Sequence, residues 1–146
     1  MKVIVCGGRD YDNTRVFFRE MDRLHRDFGP FAEIIHGGAK GADTLAGNWS
    51  LSRLKKLATV VPVRADDWSN IKAPGAIVKE TPNGTKYNAA AGPARNEKML
   101  REHWPAYVLA FPGGDGTQNM IDLARDAGKL VEGGLIVKVF RIGEKK

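Results

Sequence analysis

Three times in this chain a short apolar run breaks on a pair of glycines and gives way to a helix-like stretch. "KVIVC" (2–6) meets Gly7-Gly8, "AEIIH" (32–36) meets Gly37-Gly38 with Gly41 close behind, and "AYVLAFP" (106–112) meets Gly113-Gly114, Gly116 and Thr117. A continuous β-branched run is the mark of a strand buried on both faces. Strand, glycine turn and helix, repeated and followed by another strand, predict an α/β chain: a parallel sheet covered by helices. At 146 residues the chain encloses one core and is too short to divide comfortably, so 1–146 is read as a single domain.

The remaining elements follow from periodicity. Asn13-Thr14 can cap a helix whose apolar residues Phe17, Met21, Leu24 and Phe28 recur at helical spacing until Gly29-Pro30 stops it. A second helix begins near Ala39 to Gly41 and carries Ala42, Ala46 and Trp49 inward; a third strand is expected at 58–63. The pattern then fails over the long excursion 64–88, where Asn83-Gly84 can turn a hairpin or the tract can form a mobile loop. A helix from about Gly92 to His103, the strand at 106–112, and a helix closed by Gly128 come next. A last strand is expected at 135–140, with a short piece before it at Leu130-Val131.

The net charge of +6, from 23 Lys and Arg against 17 Asp and Glu, favours anionic partners without choosing among them. The basic residues are scattered as on solvated helix faces, which makes single-stranded nucleic acid the less favoured partner. No apolar stretch approaches the ~18 residues of a membrane-crossing helix, and the run after Met1 is too short for a signal-peptide core. A cytoplasmic location and no membrane partner are expected. Cys6 is the chain's one cysteine, excluding an intramolecular disulfide; with no histidine nearby in sequence it reads as a packed thiol, not a nucleophile.

Glycines at strand-to-helix corners expose the unpaired amides and positive dipole of the following helix, and their missing Cβ admits a phosphate oxygen. Three such corners at one sheet edge imply a ligand there. The candidate binding residues are Gly7, Gly8, Arg9 and Asp10; Gly37, Gly38, Gly41 and Asp43; and Gly113, Gly114, Gly116 and Thr117. The Thr117 hydroxyl can cap its helix or bind phosphate. Arg95, beside Asn96 at a helix start, can fork onto a phosphate oxygen. Asp10, just past the first strand, is expected at the crevice floor, as a capping or ion-pairing group or as a catalytic carboxylate. His36 reads as a packed, hydrogen-bonding residue, and no metal site or cofactor is expected. Trp49 reads as core or subunit contact; Trp68, beside Asp66-Asp67, either packs or stacks on a base or ribose.

"VIVCGGRDY" (3–11), "IIHGGAKGAD" (34–43), "ADDW" (65–68), "AAGPARNEKM" (90–99) and "AFPGGDGT" (110–117) resemble, in order and spacing, the YspA-like, cpYpsA-related branch of the SLOG superfamily. The resemblance implies a Rossmann-like domain that binds nucleotides or nucleotide-derived signals, with relatives among the lonely-guy phosphoribohydrolases and the DNA-processing proteins. Gly113, Gly114, Gly116 and Thr117 match the lonely-guy "PGGxGT", and Arg95 matches the arginine of its "RKxxM", here "RNEKM". The catalytic glutamate of that family falls on Met120, which can neither exchange a proton nor steady an oxocarbenium-like charge. A binding module for a nucleotide-derived small molecule is therefore expected ahead of an N-glycosidic hydrolase using Asp10, Asp43 or Asp115. The resemblance also implies a homo-oligomer, to which Trp49, Trp104 or the excursion can contribute.

Overall fold

Every second residue of the first strand faces the same way, and two helical layers answer the two faces. In the computed structural model, which describes residues 1–38, 40–63, 68–103, 105–130 and 138–141, β1 (Lys2–Cys6) lies at the middle of a parallel sheet. Around it are β2 (Glu33–His36), β3 (Thr59–Val60), β6 (Tyr107–Ala110) and β7 (Lys138–Arg141), in the spatial order β3-β2-β1-β6-β7. Each neighbouring pair is parallel, with Ile4 opposite Ile35 on one side and Val108 on the other. The parallel sheet with helices on both faces matches the Rossmann-like expectation.

Val3, Val5, Ile34, Leu109 and Phe111 pack beneath α1 (Thr14–Phe28) and α2 (Ala42–Trp49). Ile4, Cys6, Ile35, Val108 and Ala110 pack beneath α3 (Ala91–His103) and α4 (Asp115–Leu130). Asn13 caps α1 as expected, its side chain accepting the Val16 amide at 3.1 Å, and Phe17, Met21 and Leu24 are fully buried. Phe17 stacks on Phe111 with centroids 4.3 Å apart. Trp49 is core: it is fully buried, and its indole N–H donates to Asp22 at 2.9 Å, tying α2 to α1. Burial of each large side chain of this kind contributes roughly 1.5–3 kcal/mol. No helix among the described residues is long and apolar enough to cross a membrane.

The excursion does contain a hairpin. β4 (Val78–Glu80) and β5 (Lys86–Asn88) pair antiparallel, and Gly84, at φ +87°, supplies the left-handed residue of its turn. Several boundaries differ from the sequence reading. Ala39, Arg64 to Asp67, Trp104 and Val131 lie outside the described residues, and with them most of "ADDW"; the second helix begins at Ala42, directly after the stretch Ala39 to Gly41 where its start was expected. Gly128 does not close α4, which runs on to Leu130, since a helical glycine costs only about 1 kcal/mol and α4 is held by the buried face before it. Leu130 is accordingly helical, not a strand piece. Beyond Trp49 the chain widens into a π turn, Ser50–Leu54, where the buried Ser50 hydroxyl donates to the Lys56 carbonyl at 3.0 Å.

The ladder between β1 and β6 continues past both strands: the Phe111 amide donates to the Cys6 carbonyl at 2.9 Å and the Gly8 amide to the Pro112 carbonyl at 2.8 Å. The start of α2 is drawn into the same corner, the Ala42 amide reaching the Gly8 carbonyl at 3.3 Å. Gly41 makes that approach possible. Its φ is +74°, and a Cβ there would collide with the backbone carbonyls of Gly8 and Arg9. Gly41→Ala is expected to destabilise the protein by more than about 1 kcal/mol in urea unfolding, whereas Gly114→Ala, whose Cβ would meet nothing within 4 Å, stays within about 0.5 kcal/mol.

Candidate functional site

Chain order reverses between β1 and β6, and at such a switch point the loops after the two strands part, leaving a crevice at their carboxyl ends. A cleft of about 580 Å³ lies there, within the range that holds a mononucleotide-sized ligand. Gly7, Gly8 and Arg9 follow β1 into it; Gly37, Gly38 and Asp43 enter from the β2 corner; Gly114, Asp115, Gly116 and Thr117 form its wall at the start of α4. Across from these, α3 contributes Gly92, Arg95, Asn96 and Met99, and Trp68 stands at the side. The three glycine corners thus share one rim.

They are not alike in what they do. At the β1 corner the Gly8 amide is committed to Pro112, and a Cβ on Gly7 would lie 2.5 Å from that of Ala42. A Cβ on Gly113 would come within 2.6 Å of the Gly8 nitrogen and would collide with the Thr117 hydroxyl. These glycines, with Gly41, let backbones touch. Gly37 makes room for a side chain, since a Cβ there would lie 2.6 Å from the Arg95 guanidinium carbon. Gly114 and Gly116 alone among the corner glycines in the cleft wall have nothing within 4 Å of the space a Cβ would fill. Their missing side chains leave the first turn of α4 open to the cleft, and the first three amides of a helix have no carbonyl of their own to bond.

Arg95 is held in the cleft by its partner and by burial. Its Nη1 donates to the Gly37 carbonyl at 3.3 Å, and its Nε is buried with no hydrogen-bond partner among the described residues. A guanidinium has five donors, so most of this one's capacity is left for something else. Asn96, next to it and only 3% exposed, works on the protein itself: its Nδ2 donates to the Gly116 carbonyl at 3.1 Å and to Asn119 Oδ1 at 3.0 Å, fixing the first turn of α4 against α3. Arg9 is exposed at the mouth. Among the described lining residues, two carboxylates, buried Asp43 and exposed Asp115, stand against the two arginines, so these residues carry no large charge excess and favour an anion at the α4 turn and Arg95.

Asp10 is not at the crevice floor. It is exposed and faces an adjoining depression with Tyr11, Asp12 and Pro112, because the chain turns outward after Gly8, whose carbonyl takes the Tyr11 amide at 3.2 Å. Gly41 lies behind the wall instead of in it. Met120 is fully buried among the α3 and α4 packing residues and is not part of the cleft lining. Among the described residues no group of three or more His, Cys, Asp or Glu could hold a metal. Cys6 borders the cleft, but burial pushes its thiol up to about 12, with Asp43 adding to the shift and Arg95 opposing it. It is a packed thiol, not a thiolate.

His36 ends β2 with its ring inside. Its Nδ1 accepts the Gly38 amide at 3.0 Å, which leaves the proton of the neutral ring on Nε2 and helps shape the second corner. Burial holds its pKa below the ordinary histidine value of 6.5; the Asp43 carboxylate pulls the other way and the Arg95 guanidinium reinforces the fall. The unfolded chain therefore takes up this proton first as pH falls, and the folded state loses stability below about pH 6.5. Urea midpoints measured from pH 7.5 to 5 are expected to fall more steeply for the native protein than for His36→Asn.

Two comparisons bear on this arrangement. The model of the "YspA, cpYpsA-related SLOG family" matches residues 1–69, which hold the first two glycine corners. The gene 61 protein of Mycobacterium phage D29 is 32% identical over 134 residues, an alignment covering 87% of this chain and 90% of the phage protein.

Proposed function

The chain belongs to the YspA, cpYpsA-related SLOG family, and from that premise we propose that it binds a nucleotide or nucleotide-derived signalling molecule in the cleft between β1 and β6. The family gives it a nucleotide-related function in general; the ligand class and the residues named next are this proposal's own. The observation that carries it is the meeting, across one cleft, of two groups that seek an anion. One is the first turn of α4, open at Gly114 and Gly116; the other is Arg95, seated on Gly37 with its Nε without a partner among the described residues. A phosphate takes the amides of Asp115 to Thr117 and one edge of the guanidinium, with Arg9 adding charge at the mouth. Gly7, Gly8, Gly38 and Asp43 shape the floor and the far wall, and Gly41, Gly113 and Asn96 hold the corners in place.

Binding without turnover is favoured over N-glycosidic hydrolysis by two placements. Met120, where the lonely-guy glutamate would fall, is buried in the core, and Asp10 faces out of the cleft. Asp43 and Asp115 are the carboxylates that a hydrolase would have to use. Incubation with 5′-nucleoside monophosphates, followed by chromatography, is expected to return them intact; release of free base transfers the function to the hydrolytic reading.

Gly116→Ala separates a ligand-facing glycine from a merely structural one. A Cβ in open space at a helical position raises helix propensity, so the ligand-free protein is expected to melt at the same temperature or higher. Its affinity for nucleoside monophosphates, measured by calorimetry, is expected to fall about tenfold, equivalent to about 1.4 kcal/mol. Arg95→Ala, which removes a charged donor, is expected to lose about 10- to 100-fold. Unchanged affinity in both variants would remove the phosphate from this wall.

A further inference from the structure

Trp68 lines the cleft but takes no part in the contacts of its glycine corners. It belongs to neither buried cluster and is 36% exposed. An indole in that position leaves a large apolar surface in water at the edge of a polar site, which is unfavourable unless something covers it. The ring is also held. Its Cη2 lies 3.1 Å, and its Cζ2 and Cζ3 3.9 Å, from the place a Cβ on Gly92 would occupy, so one edge of the six-membered ring is seated directly on the backbone of α3. Any larger residue at 92 would lift it. A ring edge resting against the backbone has already lost part of the rotamer freedom that stacking would otherwise cost it. Val63 and Met99 also line the cleft, adding apolar surface to it.

Building on the binding reading above, we propose that Trp68 is the platform that recognises the ligand's base: a flat heteroaromatic ring stacks on the indole while the phosphate lies on the α4 turn, and Gly92 sets the ring's position. The cleft therefore discriminates between a nucleoside phosphate and a sugar phosphate, and Trp68 is the residue that makes the difference. Stacking tolerates any base because every base has a π face. Selection among bases is correspondingly weak at this position, and selection for having a base is strong.

The test compares AMP, GMP, CMP and UMP with ribose 5-phosphate by calorimetry on the intact protein. The nucleoside monophosphates are expected to bind about tenfold or more tightly than ribose 5-phosphate, the order of one base–aromatic stack. Trp68→Ala abolishes that preference while ribose 5-phosphate, which has no base, still binds; Trp68→Phe keeps most of it; Gly92→Val, whose side chain displaces the ring, reduces it. Retained ribose 5-phosphate binding shows that each variant is folded. Equal binding of both ligand kinds by the native protein, or a preference that survives Trp68→Ala, overturns the platform and leaves the phosphate site standing. Failure of every probe, ribose 5-phosphate included, overturns the phosphate site and the platform together.

Discussion

Everything at the ligand edge depends on how closely three loops can approach one another at Gly8. Its amide is spent on the Pro112 carbonyl, and its own carbonyl takes the amides of Tyr11 and Ala42. One residue thereby joins the end of β1 to the end of β6 and to the start of α2. Such contacts need backbone against backbone, which is why Gly7, Gly41 and Gly113 surround it: each would drive a Cβ into a neighbouring main chain or side chain. With the corners locked, the strands on either side of the switch point end at one level, and the cleft between them has fixed walls.

A second division of labour follows from the first. Groups that build the wall are satisfied within the protein: the Gly8 amide, the Asn96 side chain and the His36 Nδ1 all have partners. Groups that face the cleft are left with capacity in hand, above all Arg95 and the open turn of α4. A buried donor without a partner costs about 1–3 kcal/mol, a cost that the proposed anion would offset. Among the described lining residues the arginines are matched by aspartates, and on the proposed reading discrimination falls to geometry and to the indole at the cleft's side.

Much of the fold was legible because it rests on local periodicity. The β-branched runs, the Asn13 cap, the helical spacing of Phe17, Met21 and Leu24, and the Asn83-Gly84 turn all carry their meaning within a few residues. That the corners share an edge also followed, since a parallel sheet places all strand ends of one kind on one rim. What each glycine does there was not legible. Gly37 serves Arg95 across 58 residues of sequence, and Gly113 serves Gly8 across an even longer span. Asp10 looked like a floor residue because it follows a strand, but the outward turn that exposes it is made by a hydrogen bond to Gly8. The neighbour of Arg95 in sequence, Asn96, lines the cleft, but that its amide also braces α4 depends on residues 20 and 23 positions away. Nothing in the Ser50–Leu54 composition announces a π turn.

The central claim is that the open first turn of α4, and not the packed glycines around Gly8, receives the anion. Backbone amide chemical shifts followed by NMR during titration with AMP test it most directly. The account predicts the largest perturbations at Asp115, Gly116 and Thr117, with those of Gly7 and Gly41 small. Perturbations centred on the loop after β1, with the α4 turn unmoved, would contradict it.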